Sequence, residues 1–294
     1  MPLSSHARFP YRSIRDPIAA AWPNGKELAV YLGINLEHFA FGEGLGAELA
    51  PSGQPDVLNY AWRDYGNRVG AWRLIDLLDE LSLPATALVN SAILDHCPEL
   101  ADAHRHRGDE IAGHGRTNSE RQSGLTEAEE NDLIGAATVR LSKHFGEAPG
   151  GWLGPWIAET HATPDLLKEW GYRYVLDWCH DDRPTWMETR TGPLLAVPYP
   201  QEINDIPAIV VRRMSAADFA DMIVDQFDEM CAQANGQALV MGVALHAYVV
   251  GQPFRLKHLR RALEHIAAAR SSVWLTTAGA IADAWAGMEP PPSA

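Results

Sequence analysis

The chain has 294 residues, of which 46% are apolar and 21% are charged, so it is long enough to bury a large core in one domain. Its 38 acidic residues outnumber its 24 basic residues and give a formal net charge of −14, which disfavours binding to nucleic acid or to an anionic membrane. Three widely separated cysteines, Cys97, Cys179 and Cys231, argue against a disulfide framework and fit a reducing compartment.

The predicted elements alternate between short apolar strands and longer helical patterns. In chain order they are strand 28–36, helix 67–83, strand 85–89, helix 98–107, strand 110–113, helix 126–145, helix 163–170, strand 174–177, strand 194–197, helix 215–230, strand 238–245, helix 255–269, strand 273–275 and helix 277–286. Because strands and helices alternate, we expect an α/β fold with a parallel sheet. No glycine fingerprint of a dinucleotide site follows the first strand, which favours a closed barrel over an open doubly wound sheet.

The ends of the chain carry no recognisable targeting segment. No apolar run follows the first basic residue, and no stretch approaches the roughly 18 consecutive apolar residues of a membrane helix. We therefore expect a cytoplasmic protein with an N-terminal arm over 1–20, a single domain over 21–286 and a flexible tail over 287–294.

Polar or aromatic residues follow several predicted strands, at the positions where barrel enzymes carry their reactive groups. Taken singly, each residue has a simpler explanation as a loop-capping carboxylate, a structural histidine or a packed aromatic ring. Because several independent strand ends supply them, we expect convergence at one barrel mouth. In chain order these residues are Asn35, Glu37, His114, Asn118, Pro155, Trp156, Asp177, Trp178 and His246.

The order of these motifs resembles the polysaccharide deacetylase superfamily, which includes nodulation-factor and chitin deacetylases. The motifs are WPNGKELAVYLGINLEHF, RDYGNRVGAWRLIDLLD, GDEIAGHGRTNSE, TPDLLKEWGYRYVLDW, VPYPQEIND and LHAYVVGQP, within roughly residues 20–285. They are most similar to the branch of metal-independent allantoinases and cyclic-imide hydrolases. The resemblance implies a distorted (β/α)7 TIM-like barrel that hydrolyses carbon–nitrogen bonds.

The chain departs from the metal-dependent members of that superfamily at three motifs. Asn35 and Glu37 occupy positions where those members have an aspartate base and a metal-binding aspartate. Asn118 replaces the second of two metal-binding histidines, and Leu153 replaces an arginine. Since an amide oxygen is a poor zinc ligand compared with imidazole, we favour catalysis without a metal. A zinc ion held by Glu37 and His114 is the alternative.

The resemblance and the residues together give a hypothesis for the roles of these groups. Glu37 is expected to be the base, with a pKa that burial raises toward neutrality, and His246 the acid for the leaving nitrogen. His114 would orient Glu37 or polarise the substrate carbonyl, and the backbone N–H of Trp156 would complete an oxyanion site. Residues expected to bind substrate are Asn35, Asn118, Pro155, Asp177 and Trp178, with the two asparagines donating to substrate carbonyls.

The expected substrate is a small amide, most simply a ring such as a hydantoin, allantoin or a cyclic imide. Two alternatives are a metal-dependent deacetylase of N-acetylated sugars and a barrel that has lost catalysis and serves as a binding protein. The long connection over 38–65 is a candidate lid. We expect a homo-oligomer with no nucleic-acid or membrane partner.

Overall fold

The structure is a computed structural model that describes residues 5–16, 18 and 21–291. The predictions of an N-terminal arm and of a flexible tail fall partly on residues 1–4, 17, 19, 20 and 292–294, which lie outside the described residues. Among the described residues, no helix combines the length and the apolar character that crossing a bilayer requires.

A curled, nearly all-parallel sheet forms the centre of the molecule. Its strands are β1 (Leu28–Leu36), β2 (Thr86–Val89), β3 (Glu110–Gly113), β4 (Gly151–Trp152), β5 (Tyr174–Val175), β6 (Thr185–Met187), β7 (Leu194–Ala196), β8 (Leu239–His246) and β9 (Trp274–Thr276). The order across the sheet is β6-β7-β5-β4-β3-β2-β1-β8, and β9 pairs with the first half of β1. Of the strand pairs among the described residues, β6–β7 alone is antiparallel.

The helices pack around this sheet. They are α1 (Val57–Tyr65), α2 (Ala71–Leu81), α3 (Ile93–His96), α4 (Pro98–Arg107), α5 (Glu127–Phe145), α6 (Thr163–Glu169), α7 (Ala216–Gln233), α8 (Ala247–Val250), α9 (Pro253–Ala268) and α10 (Ala278–Met288). Capping boxes begin two of them, Thr126 with Glu129 at α5 and Ser215 with Asp218 at α7. The predicted α/β fold class is confirmed, but the expected closure of the barrel is wrong.

The sheet is a half-barrel because no ladder joins β8 to β7 or β6 in the described part of the chain. The segment over residues 198–205 crosses this opening instead. Ile203 accepts a backbone hydrogen bond from Ala244 of β8, and Pro198 accepts one from the Tyr31 hydroxyl. This segment contains Pro198 and Pro200, which have no N–H to donate to a ladder, so it cannot form a regular closing strand.

The helix predicted over 67–83 begins ten residues earlier, at Val57, where Asp56 caps the N–H of Asn59. Between α1 and α2 the helix widens into a π-turn over Gly66–Gly70. A Cβ on Gly66 would lie 2.7 Å from the backbone nitrogen of Tyr248, so the turn packs directly against α8. The widened turn therefore sits beside the end of β8, where a catalytic residue is expected.

Hydrophobic layers pack on both faces of the half-barrel sheet. One layer lies between the sheet and the surrounding helices, and it includes Leu32, Leu36 and Leu245. The other fills the inside of the curled sheet and includes Tyr31 of β1 and Trp285 of α10. Because α10 fills the end at which the strands begin, the opposite end, where the strands terminate, is the one that is left open for a site.

Candidate active site

The polar strand ends meet at one cavity of about 440 Å³. Parallel pairing of β1 with β8 sets Asn35 opposite His246, and pairing of β1 with β2 sets Asn35 opposite Leu88. Alternation along β1 then directs Asn35 and Glu37 to the same side. His114 follows directly after β3, so adjacent strands bring Asn35, Glu37, His114 and His246 to the cavity wall.

The carboxylate of Glu37 lies at the centre of this group and is 5% exposed. Its Oε1 atom lies 3.5 Å from the Nε2 atom of His114 and 3.5 Å from the Nε2 atom of His246. Asn118 donates to the same oxygen at 2.5 Å, and the Tyr248 hydroxyl donates to Oε2 at 2.9 Å. Four side chains therefore hold a buried carboxylate between two imidazoles.

Each histidine has its other ring nitrogen, Nδ1, fixed by a second partner. The Nδ1 atom of His114 lies 2.7 Å from the carbonyl oxygen of Leu153, which can only accept, so Nδ1 carries a proton. In the neutral ring the lone pair is then on Nε2, which has no hydrogen-bond partner among the described residues. The Nδ1 atom of His246 lies 2.6 Å from Oδ1 of Asp205, whose Oδ2 also accepts the backbone N–H of His246.

The charges of these groups follow from their neighbours. Burial disfavours the anion of Glu37, but the attraction of His246 and the proximity of His114 outweigh burial and lower the pKa of Glu37 to about 2. The expectation of a raised pKa at Glu37 is therefore wrong. Burial likewise opposes the cation of His246, but Asp205 and Glu37 raise its pKa to about 10. Near neutral pH the cavity holds a carboxylate next to an imidazolium.

A chain of amides fixes the orientation of Asn118. The backbone N–H of His38 donates to Oδ1 of Asn90 at 2.9 Å, so the Nδ2 atom of Asn90 faces His114 and Asn118. That Nδ2 atom donates to Oδ1 of Asn118 at 2.9 Å. The nitrogen of Asn118 must then point at Glu37, as the 2.5 Å contact shows. Asn118 therefore donates to the carboxylate rather than to a substrate carbonyl.

The loop after β4 forms one side of the cavity. Trp156 lines the cavity with a left-handed φ of 66°, and its indole nitrogen donates to the backbone oxygen of Asn118 at 3.0 Å. A non-glycine residue in this conformation is strained, and such strain is concentrated at functional sites. The oxyanion role of the Trp156 N–H remains a prediction.

Three residues that were expected to bind substrate lie outside the cavity lining. Pro155 packs against Gly115, where a Cβ would come within 2.6 Å of the proline ring. Asp177 accepts the backbone N–H of Gly154 at 2.8 Å, and Trp178 donates to Glu159 at 2.9 Å. These side chains contact the loop after β4 on the side that faces away from the cavity. That loop covers the end of the strand that carries Asp177 and Trp178.

The connection over 38–65 is folded against α1. Asn59 accepts from the backbone of Leu49 at 2.7 Å and donates to Ala50 at 2.9 Å. The buried guanidinium of Arg63 donates to the carbonyl oxygen of Ala47 at 3.1 Å. Because Ala47 lines the cavity, this segment forms part of its rim, and its role as a lid stays a prediction.

Comparison with known proteins shows which proteins this chain resembles. The polysaccharide deacetylase family profile matches residues 60–175. A putative polysaccharide deacetylase of Schizosaccharomyces pombe is 25% identical, over 92% of this chain and 93% of that protein. The structure of PuuE allantoinase is similar with a TM-score of 0.83 and 26% identity, over 95% of this chain and 96% of the other. A probable polysaccharide deacetylase from Pseudomonas aeruginosa PAO1 has a TM-score of 0.82 and 25% identity, over 92% and 95%.

These similarities confirm the resemblance to the polysaccharide deacetylase superfamily that the sequence motifs indicate, and the match to the family profile lies within residues 60–175. The proteins that the chain resembles are deacetylases and an allantoinase, which hydrolyse carbon–nitrogen bonds other than peptide bonds. Because these relatives differ in name and substrate, the comparisons leave the substrate open.

The residues present do not fit the metal ion that the metal-dependent members of this superfamily bind. Asn118 stands where a second imidazole would be, and its oxygen is used by Asn90 while its nitrogen faces Glu37. Among the described residues, no group of three or more His, Cys, Asp or Glu side chains is arranged to hold a metal.

Several residues of the site were not predicted from the sequence. Asp205 and Tyr199 lie in the VPYPQEIND motif, which carried the resemblance without assigning a role to any single residue. Tyr248 follows His246 within LHAYVVGQP, and Asn90 directly follows the second predicted strand. The position of Asn90 at a strand end was a usable signal, whereas nothing local in the sequence pairs Asp205 with His246.

Proposed function

We propose that this protein hydrolyses a carbon–nitrogen bond in a small, uncharged amide, with a ring amide as the preferred substrate. The observation that supports this proposal most strongly is the carboxylate of Glu37 between the Nε2 atoms of His114 and His246. Amide hydrolysis needs a proton acceptor for water and a proton donor for nitrogen, and this arrangement supplies both within one cavity.

The size and charge of the cavity support a small neutral substrate. A volume of about 440 Å³ suits a single heterocycle better than an extended sugar chain. No lysine or arginine is among the described residues that line it. A substrate that bears a carboxylate or phosphate would therefore have no permanent cation to bind apart from the imidazolium of His246.

We assign the first proton transfer to His114. An anion with a pKa of about 2 is a weak base, so Glu37 accepts a proton poorly from water. His114 offers a lone pair on Nε2 because its Nδ1 proton is held by Leu153. In the proposed step, water attacks the amide carbon while its proton passes to Nε2 of His114, and Glu37 stabilises the imidazolium that results.

His246 completes the reaction as the acid. Its Nε2 proton passes to the leaving nitrogen as the carbon–nitrogen bond breaks, which leaves a carboxylic acid and an amine. At that stage His114 is protonated and His246 is neutral. The Oε1 atom of Glu37 lies 3.5 Å from both Nε2 atoms, so it can return the proton from His114 to His246 and restore the starting state.

A metal-dependent deacetylase of N-acetylated sugars is the second candidate. The names of the fission-yeast relative and of the Pseudomonas structure favour it. The donor set argues against it, because Asn118 presents N–H rather than a ligand atom toward Glu37. We therefore rank the ring amide first and propose that no metal is required.

The two candidates differ in the number of products. Hydrolysis of a ring amide gives one product that is the substrate plus one water, whereas deacetylation releases acetate as a second molecule. We would incubate the protein with hydantoin, allantoin, succinimide and N-acetylglucosamine oligomers and analyse products by mass spectrometry. Ring opening without acetate is expected. Acetate release with every ring intact would contradict the proposal, and binding without turnover of any compound would favour a catalytically silent barrel.

A further inference from the structure

Asn35 lines the cavity, and the orientation of its buried amide leaves the oxygen, rather than the nitrogen, without a partner among the described residues. Its Nδ2 atom donates to the carbonyl oxygen of Leu245 at 3.2 Å and to the hydroxyl of Tyr199 at 2.9 Å. Rotating the amide would set its oxygen against the Leu245 carbonyl, which cannot donate, so the orientation is fixed. The Oδ1 atom is buried and has no partner in the described part of the chain.

A donor stands next to this acceptor. The Tyr199 hydroxyl already accepts from Asn35, so its own proton must point elsewhere, and Tyr199 lines the same cavity. Burial raises the pKa of Tyr199 far above its ordinary value, which keeps the hydroxyl protonated. Asn35 and Tyr199 together therefore offer one free acceptor and one free donor, side by side, in the wall of the cavity.

We propose that Asn35 and Tyr199 are specificity-determining residues that bind the edge of a cis amide, in which N–H and C=O point to the same side. The Oδ1 atom of Asn35 accepts the substrate N–H, and the Tyr199 hydroxyl donates to the adjacent substrate oxygen. This inference rests on the proposed amide hydrolysis and defines which amides the cavity selects. The substrate class is lactams, cyclic imides and cyclic ureides, together with terminal ureido groups.

Amide geometry separates this class from N-acetylated sugars. A ring of five or six atoms forces its amide to be cis, so N–H and C=O lie on one edge. An open-chain secondary amide is trans, with N–H and C=O on opposite sides, and adopting the cis form lowers its binding by roughly a hundredfold or more. An N-acetyl group can therefore satisfy either Asn35 or Tyr199, but not both together.

The buried acceptor makes the selection strong. Asn35 is only 2% exposed. If a bound molecule excludes water and offers no donor, the Oδ1 atom of Asn35 therefore stays without a hydrogen-bond partner. Leaving such a group without a partner weakens binding by about tenfold or more. A ligand that replaces the N–H by an oxygen should be rejected although its shape is unchanged.

The test uses three probes of similar size in equilibrium titrations followed by NMR. These are 2-pyrrolidinone, which is a cis amide, γ-butyrolactone, which replaces the N–H by oxygen, and N-methylacetamide, which is trans. The native protein should bind 2-pyrrolidinone about tenfold or more tightly than either of the others. Equal affinity for the three probes would overturn the inference without any variant being needed.

Two variants assign the effect to atoms. Asn35→Leu, which has nearly the same shape, should abolish the preference for the lactam over the lactone. Tyr199→Phe should weaken both by a similar factor of about ten and leave their ratio unchanged. Tyr60→Phe, at an aromatic contact with Phe41 outside the cavity lining, is the control. A lactam preference that survives in Asn35→Leu would overturn the assignment.

This experiment separates the inference from the proposed function because it measures binding and not turnover. Ring opening with no preference among the probes would contradict the inference alone. A clear lactam preference with no ring opened would contradict the proposed function alone.

Discussion

The pair formed by Asp205 and His246 gives the sharpest prediction about the reaction. Asp205 accepts two N–H groups of His246, from the backbone and from the ring. In Asp205→Asn one of these donors must face an NH2 group, which also donates. The variant therefore disfavours the imidazolium, and His246 should lose the proton that the leaving nitrogen needs at a lower pH than in the native protein.

The size of the effect follows from the pKa of His246, which lies at about 10 instead of the ordinary 6.5. This difference corresponds to about 5 kcal/mol of net stabilisation of the cation, because the attraction of Asp205 and Glu37 exceeds the cost of burial. If Asp205 supplies about half, its loss lowers the pKa of His246 by roughly 2 units. Activity should then be lost above about pH 8 rather than above about pH 10, so the rate at pH 9 should fall about tenfold while the rate at pH 7 changes little.

The assay is kcat/KM for ring opening between pH 6 and pH 11 in the native protein and in Asp205→Asn. Asp221→Asn removes a surface carboxylate paired with Arg261 and serves as the control for the change in net charge. The native alkaline limit should lie near pH 10, as the raised pKa of His246 requires. An alkaline limit that is the same in Asp205→Asn and in the native protein would refute the assignment of His246 as the acid.

Three further predictions concern the support of the site, its rim and its independence of metal. Burial raises the pKa of Glu159 to about 7, although hydrogen bonds with Asp177 and Trp178 oppose the rise, so folding favours its protonated form and stability is lost as the pH rises through 7. Glu159→Gln should therefore stabilise the protein at pH 8, by up to about 3 kcal/mol of unfolding free energy, and raise its melting temperature there. At pH 5 the substitution should change the melting temperature little, and equal shifts at pH 5 and pH 8 would contradict this. Arg63→Ala frees Ala47 at the rim and should raise KM by about tenfold with a smaller change in kcat, whereas an unchanged KM would exclude the rim from substrate binding. Treatment with a chelator should leave the rate of ring opening unchanged, with metal analysis to verify that the treated protein is metal-free. A rate that is lost and then restored only by added zinc would contradict the argument that the side chains of this site do not suit a metal ion.

The sequence predicts the elements of the fold well because each depends on local patterns. The capping boxes at Thr126 and Ser215 mark the starts of α5 and α7, and the apolar runs mark β1 and β8. The start of the first helix could not be predicted in the same way. Its first turn is held by the Asp56 cap and by loop contacts to Asn59, and the first two apolar side chains, Val57 and Leu58, face solvent rather than the core.

The candidate site is predictable only in part. Alternation along β1 places Glu37 correctly, and strand ends place His114 and His246 beside it. The direction of the pKa shift at Glu37 could not be predicted, because it depends on distances to two imidazoles that come from different strands. The predicted closure of the sheet was also wrong, because the segment that carries Asp205 takes the place of a closing strand. The same segment brings the carboxylate of Asp205 to His246, a contact that the local sequence pattern does not indicate. The expected homo-oligomer and cytoplasmic location remain predictions.

The most direct test of the account compares the rate of ring opening by the native protein with that of Glu37→Gln. Glu27→Gln, just before the other end of the same strand and exposed to solvent, is the matched control. The account predicts that the native protein and Glu27→Gln open at least one ring amide at equal rates, and that Glu37→Gln is slower by about 100-fold or more. Ring opening by Glu37→Gln at the native rate would contradict it.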